Sequence, residues 1–189
     1  MAGFVDATGF LHLGGFFVSF MSGNSTRAGV GLVTHARDAA IAGGLILTFV
    51  GGVVAGTLTG HFAPSPRKRT AVLALVALLL ALAAISGNRV WAPVLMAFAM
   101  GAANIVLASD GEVSFGVTYM TGALVKLGQQ VGGALLGRER FGWFPYLVLW
   151  TGLLGGAATG AALFPLIGMQ ALWVPALAAI LLLPFVEQG

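Results

Sequence analysis

Cysteine is absent from this 189-residue chain, which removes disulfides, thiolate nucleophiles and thiolate metal sites at once and leaves no thiol redox role. Charge is scarce. Asp, Glu, Lys and Arg make up 8% of the residues, against about 25% in an ordinary globular domain, so the chain cannot clothe a water-facing surface. Histidine occurs only at His12, His35 and His61, too scattered for metal ligation, and there is no HExxH, GxSxG, Walker or GxGxxG sequence. Neither metal nor cofactor is expected. Apolar residues are abundant instead: 58% of the chain is hydrophobic and the mean hydropathy is +0.97. This is the composition of an integral membrane protein. At roughly 20 residues per helical span, the length allows about six spans in one bundle, with little left for a soluble catalytic domain. Nine Lys and Arg against six Asp and Glu give a net charge of +3. In a membrane protein such an excess sets orientation rather than binding nucleic acid, and the basic run Arg67-Lys68-Arg69 is too short to argue otherwise. Asp6, early in the first apolar stretch, and the lack of a basic leader argue against a cleavable signal peptide.

Ala39 to Gly60 and Thr70 to Gly87 are free of charge and each long enough to cross a hydrocarbon core. The charge-free stretch from Phe141 to Val186 is divided by Pro165 and Gly168 into spans near Pro145 to Phe164 and Met169 to Val186. Val90 to Ala108 and a weaker Gly3 to Met21 complete six. Long unalternating runs exclude a closed barrel and leave an all-α integral membrane bundle. Ser22 to Val33 and Phe115 to Leu136 fit neither spans nor surface loops, being too rich in glycine and polar groups for the former and too apolar for the latter.

The chain also repeats itself. A shift of 99 lays Ser19-Phe20-Met21-Ser22-Gly23 over Thr118-Tyr119-Met120-Thr121-Gly122, with Arg27 over Lys126. A shift of 98 lays Gly3 over Gly101 and Asp6 over Asn104, and a shift of 100 lays Gly52, Gly56 and Gly60 over Gly152, Gly156 and Gly160. With 29 glycines, glycine matches alone arise by chance, but the methionine and charge matches do not. A duplication follows, residues 1–89 and 90–189, each with three spans. An odd number of spans turns the second half over, giving the two inverted three-helix repeats associated with secondary transporters. Placing Arg67-Lys68-Arg69 in the cytoplasm puts Asn88-Arg89 outside and Arg138 to Arg140 inside, as the positive-inside rule asks. Both termini are then expected to be cytoplasmic.

Four-residue glycine spacing in Gly52, Gly56, Gly60 and in Gly152, Gly156, Gly160 reads as helix-packing seams, between repeats or between protomers. Met21-Ser22-Gly23-Asn24 and Met120-Thr121-Gly122 each end an apolar stretch with small hydroxyl residues able to cap a new helix, which predicts broken or re-entrant segments near 22–33 and 115–136. Free N–H groups there would favour an anion, with Arg27 and Lys126 about one turn away. Ser22, Gly23, Asn24, Arg27, Thr121, Gly122 and Lys126 are accordingly the expected substrate contacts. The competing reading is a pair of interfacial helices whose Arg27 and Lys126 snorkel to headgroups. Asp6 and Asn104 are the expected coupling pair, since an ionisable group within a membrane commonly marks a pathway, unless Asp6 simply reaches water near the chain start. His12 is a candidate relay or a bundle hydrogen-bonding group, His35 and His61 flank spans and read as solvated, and Asp110-Gly111-Glu112 reads as a turn.

At Gly3-Phe4-Val5-Asp6, Phe20-Met21-Ser22-Gly23-Asn24, Gly101-Ala102-Ala103-Asn104 and Thr118-Tyr119-Met120-Thr121-Gly122 with Leu127-Gly128, the sequence resembles the YoaK family, also described as the DUF1275 family, of bacterial six-span membrane proteins. The resemblance implies an inner-membrane location and supplies no substrate. Ser22 stands where that family more often has Thr, and Ala103 where a Gln commonly precedes the Asn. Gly101 follows an apolar run from Val90 whereas Gly3 follows only Met1 and Ala2. The first span is thus either unusually short or continued by residues ahead of Met1, which would move Asp6 toward the middle of its helix.

The expectation is a small secondary transporter or channel-like permease for a small, anionic solute bound between the repeats, embedded in the bilayer and needing a second copy to enclose a path. The alternative is a non-transporting scaffold or sensor subunit assembled through the glycine seams. A membrane enzyme acting on lipid ranks last, because His12 and Asp6 are its only candidates and no convergent acid and base groups accompany them.

Overall fold

With no water in hydrocarbon, every backbone N–H and C=O must be satisfied within the protein, and helices achieve this within a single segment. The computed structural model describes residues 1–87, 89–106 and 120–186, and among these there is no strand. The described residues form eight α-helices in order: α1 (Ala2–His12), α2 (Met21–Thr34), α3 (Ala36–Phe62), α4 (Lys68–Ser86), α5 (Trp91–Val106), α6 (Met120–Leu135), α7 (Phe144–Ile167) and α8 (Trp173–Leu182), with short 3-10 turns at Ser65–Arg67 and Gly168–Leu172. By length and composition three stretches among the described residues can cross a membrane, Ala36–Phe62, Lys68–Ser86 and Phe144–Leu182, and Trp91–Val106 is a shorter apolar helix. Leu32, Val33, Leu135 and Leu136 stand 80 to 89% exposed, an arrangement suited to lipid and costly in water. The all-α membrane architecture is as expected.

The first expected span is not one helix. α1 stops at His12 because Gly14 and Gly15 adopt left-handed φ values of +64° and +108°, letting the Gly15 N–H reach back to the Phe10 carbonyl at 2.8 Å and satisfy an end-of-helix acceptor. Segment 22–33, expected to be broken or re-entrant, is helical as part of α2, and most of 115–136 is helical as α6; residues 115–119 lie outside the described residues. At about 1.5 Å per residue neither helix covers the roughly 30 Å of a hydrocarbon core. At the other end of the chain, α7 runs through Pro165 and stops at Gly168, whose φ is +60°. Pro165 sits in the last turn, where it removes a single ladder bond, so the glycine rather than the proline ends the helix.

α1 packs on α7, and α5 packs on α3. α2 lies against α3, α6 against α7, and α4 fits between α5 and α8. The first two pairs are parallel: along α1, Gly3 meets Leu153 and Ala157 while His12 meets Phe164, and along α5, Phe98 meets Gly52 while Ala102 meets Gly56. Backbones touch at these crossings. A Cβ on Gly3 would strike the Leu153 carbonyl, one on Gly101 the Phe49 carbonyl, and one on Gly52 the Phe98 carbonyl; on Gly160 it would lie 2.6 Å from the Phe4 carbonyl oxygen. Such approaches exclude any larger residue. The buried centre, where α4 and α5 meet the 168–172 turn, is filled by Leu80, Met96, Met100, Met169 and Leu172.

The glycine seams differ in register from the sequence match. Gly56 on Ala102 corresponds to Gly160 on Phe4, and Gly52 to Gly156, a shift of 104 in place of 100. Within the chain, Gly60 faces only a Val72 methyl at 3.5 Å and Gly152 has open space, so neither takes part in these two crossings. With glycine this frequent, a slide of one helical turn exchanges one GxxxG pattern for another.

Candidate functional site in the fold-back between α1 and α2

After His12 the chain turns and runs back along α1. Val18 packs against Gly9, where a Cβ would lie 2.7 Å from a Val18 methyl, and the return reaches as deep as Asp6. Residues 13–20 are irregular, so their backbone groups need partners. For Phe17 to Phe20 two side chains provide them. Asp6 Oδ1 accepts the Val18 N–H at 3.0 Å and the Ser19 N–H at 2.8 Å, with the Ser19 hydroxyl and the Phe20 N–H also directed at the carboxylate. Asn24, fully buried, accepts the Phe17 N–H at 3.0 Å and donates to the Phe17 carbonyl at 2.6 Å. An amide suits that place because it carries both a donor and an acceptor, as a strand neighbour would.

These contacts revise the roles read from the sequence. α2 begins at Met21 with Phe20 as its N-cap and no side-chain cap bond. Ser22 is exposed and caps nothing; Ser25 and Thr26 hydroxyls bond back to the Met21 and Ser22 carbonyls. The acceptor at the head of α2 is the protein's own Asp6. Gly23 lies under aromatic rings: a Cβ there would be 2.8 Å from Phe20 Cε1 and 3.0 Å from Phe17 Cδ2, and the Phe10 and Phe17 rings pack tilted at 4.9 Å while Phe17 and Phe20 meet edge-to-face at 5.2 Å. Arg27 turns toward the tip of the fold-back. Its guanidinium carbon is 4.6 Å from the Phe16 ring centroid, and a Cβ on Gly15 would lie 2.7 Å from its terminal nitrogen. Stacking of this kind is worth about 0.5–2 kcal/mol.

In the second half, Asn104 is buried on α5 and donates to the Met100 carbonyl at 2.8 Å. Thr121 and Lys126 on α6 are exposed and Gly122 is half-buried, with the Lys126 ammonium 6.0 Å from the Tyr146 ring centroid. Thr118, Tyr119, Asn88 and the Asp110-Gly111-Glu112 turn lie outside the described residues. His12 is half-buried with its ring edge-on to Phe164 at 6.3 Å, and His35 and His61 are exposed. The structure thus draws Asp6 and Asn24 together on one loop, sends Arg27 to the loop's tip and leaves Ser22 outside. Among the described residues no group of three or more His, Asp and Glu is arranged to hold a metal ion. The paired roles of Asp6 and Asn24 are not visible in spacing, since each bond spans 7 to 13 residues. The one available signal was Gly14-Gly15, which marks the end of α1.

A family model described as protein of unknown function (DUF1275) matches residues 1–184. The chain belongs to the DUF1275 family. It is 41% identical over 185 residues to the UPF0700 transmembrane protein RA0705 of Rhizobium meliloti (strain 1021), a match that covers 96% of this chain and 80% of that relative. No solved structure matches it. Family and relative agree with the apolar helices in making this DUF1275 chain a membrane protein. In this member of the family, the Phe20-Met21-Ser22-Gly23-Asn24 block delivers the asparagine that ties down the fold-back.

Proposed function

We propose that the chain is a small secondary transporter or channel-like permease for a small anionic solute, built of two inverted three-span repeats, residues 1–89 and 90–189. The observation that carries this reading is the fold-back itself: irregular backbone within an apolar helical chain, held by a carboxylate and a buried amide. Non-helical backbone at membrane depth is tolerated where it is covered by protein or lines a cavity, and transporters use such breaks. Further support comes from the pairing of α1 with α7 and of α5 with α3, both parallel and both through glycine contacts at matching places.

On this reading α1 rises from the cytoplasmic side, 13–20 dips back to the depth of Asp6, and α2 climbs out again, so that α3 starts outside and Arg67-Lys68-Arg69 lies inside. A solute anion approaching the loop meets Arg27. Entry displaces the loop from Asp6, and a proton or cation taken up by the freed carboxylate couples the two events. Asn104 holds the corresponding place in the second half as an uncharged partner, with Thr121, Gly122 and Lys126 on the opposite approach. Both termini are cytoplasmic and the host is a bacterial inner membrane.

The test is swelling of proteoliposomes in isosmotic chloride, nitrate and formate salts, comparing wild type with Arg27→Ala and Asp6→Asn. Wild-type flux of at least one anion, reduced by Arg27→Ala and changed in its pH dependence by Asp6→Asn, is the expected result. Fluxes indistinguishable among the three proteins and protein-free vesicles would end the transport reading and leave a scaffold subunit.

A further inference from the structure

α7 opens the stretch Phe144–Leu182 that can cross a membrane, so the turn joining α6 to α7 stands where the chain enters the bilayer. That turn is well tied down. Gly137, at a φ of +82°, lets the Gly137 and Arg138 N–H groups close on the Ala134 and Gly133 carbonyls at 3.2 and 2.9 Å, the paired bonds of a Schellman ending. Beyond it the Trp143 indole N–H donates to the Arg140 carbonyl at 2.9 Å, and the Phe144 N–H to the Phe141 carbonyl at 3.0 Å.

So held, the turn presents two kinds of surface side by side. Leu135, Leu136, Phe141 and Phe144 are 84, 82, 66 and 55% exposed. Arg138 and Arg140 are exposed among them, and neither forms an ion pair among the described residues. The Arg140 guanidinium carbon lies 5.7 Å from the Phe141 ring centroid, and the stem of Arg138 rests on Gly133, its Cδ 3.5 Å from a Cβ placed there. The one acid of the turn, Glu139, is folded back: its Oε2 and the Gln130 Oε1 lie 3.4 and 2.7 Å from a Cβ placed on Gly142. Water suits the arginines and not the apolar side chains, and hydrocarbon does the reverse. Only the headgroup layer serves both. The other basic run, Arg67-Lys68-Arg69, carries more charge but is set apart from its exposed apolar neighbour, Phe62, by Pro64 and Pro66.

We propose that the turn between α6 and α7 binds an anionic phospholipid, its phosphate held by Arg138 and Arg140 and its acyl chains lying on Leu135, Leu136, Phe141 and Phe144. Charge selects this partner. Guanidinium forks take phosphate oxygens in pairs, and two arginines without a carboxylate partner favour a headgroup whose phosphate is not already balanced by its own ammonium. Lipid held there fixes the start of α7 to one leaflet and, through the packing of α6 on α7, sets the depth of a helix too short to span. Such binding needs only a chain seated in a membrane and is independent of solute transport.

The test titrates the purified full chain, in neutral detergent, with phosphatidylglycerol or with phosphatidylcholine of the same acyl chains, and reads retained lipid by native mass spectrometry and the melting temperature beside it. Wild type should hold phosphatidylglycerol about tenfold more tightly than phosphatidylcholine, as two arginines partly offset by one glutamate require, and should melt at a higher temperature with it. Arg138→Gln with Arg140→Gln should abolish the preference. Arg67→Gln with Lys68→Gln, which removes the same charge elsewhere, should leave it unchanged. Both double variants alter side chains that carry none of the turn's backbone bonds, so without lipid they should melt as wild type does. Leu136→Ser with Phe141→Ser should weaken retention of both lipids, and glycerol phosphate, a headgroup without chains, should not raise the melting temperature. Equal retention of the two lipids by wild type overturns the proposal. So does equal loss from the two arginine and lysine variants, which would reduce the effect to net charge, or full stabilisation by glycerol phosphate, which would make the turn a site for a free phosphate.

Discussion

Asn24 offers the sharpest perturbation of the fold-back. Replacing it by alanine removes an acceptor at 3.0 Å from the Phe17 N–H and a donor at 2.6 Å from the Phe17 carbonyl. Both backbone groups then lose their partner in a segment that has no ladder to fall back on. An unsatisfied buried group costs about 1–3 kcal/mol, so the pair together costs roughly 2–6 kcal/mol if no water enters. That is a large share of a total stability of about 5–15 kcal/mol. Because the lost bonds hold only 13–20 and the head of α2, much of the cost should appear as local opening rather than as global unfolding. The assay is maleimide labelling of Phe17→Cys in nanodiscs, with and without Asn24→Ala, beside denaturant unfolding of the same proteins. The latch requires that labelling accelerate by at least about tenfold, equivalent to about 1.4 kcal/mol of opening free energy. Asn24→Asp is the control. It keeps the acceptor for the Phe17 N–H but sets a carboxylate oxygen against the Phe17 carbonyl, and it should open the loop as far as alanine does. Unchanged labelling in both variants, with stability within about 0.5 kcal/mol of wild type as for an ordinary surface change, would refute the reasoning.

Other consequences follow from single contacts. Asp6→Ala leaves the Val18 and Ser19 N–H groups without an acceptor and should lower stability by about 2–4 kcal/mol, whereas Asp6→Asn keeps one acceptor oxygen and should cost less than half as much, both read by denaturant unfolding. Gly101→Leu and Gly3→Leu, which drive a side chain into the Phe49 and Leu153 carbonyls, should each destabilise by at least about 1–3 kcal/mol, while Gly152→Leu, facing open space, should leave the melting temperature in nanodiscs unchanged. Gly14→Ala, at a φ of +64°, should cost about 1 kcal/mol by straining the turn that ends α1. Single cysteines at Gly14 and Arg37 should react with an impermeant maleimide from one side of sealed vesicles and cysteines at Arg67 and Arg138 from the other, and any other grouping would break the inverted topology.

Much of the helical frame was legible because long charge-free runs admit little else in a membrane: α3 and α4 begin and end within a few residues of the apolar runs that announce them. The first span was misread for a physical reason. Apolar content runs unbroken through Gly14-Gly15, and hydropathy does not register that two successive glycines at a helix end can reverse the chain. The importance of Asp6, Asn24 and Gly23 was legible from charge, polarity and small size in an apolar setting, but their work was not. A carboxylate in such a place reads as a free ionisable group until the backbone donors that occupy it, 12 and 13 residues away, are seen. The glycine seams were found and their register missed by one turn, since a run with glycine at every fourth place matches itself at several shifts.

A cryo-EM structure of the protein in lipid nanodiscs, with the bilayer boundaries visible, is the most direct single measurement. The expected result has Gly14 and Arg37 at one boundary, Arg67 and Arg138 at the other, and the Asp6 carboxylate bonded to the Val18 and Ser19 N–H groups between them. A continuous crossing helix through residues 2–34, or basic clusters at opposite boundaries, would contradict the fold-back and the inverted repeat on which the transport reading stands.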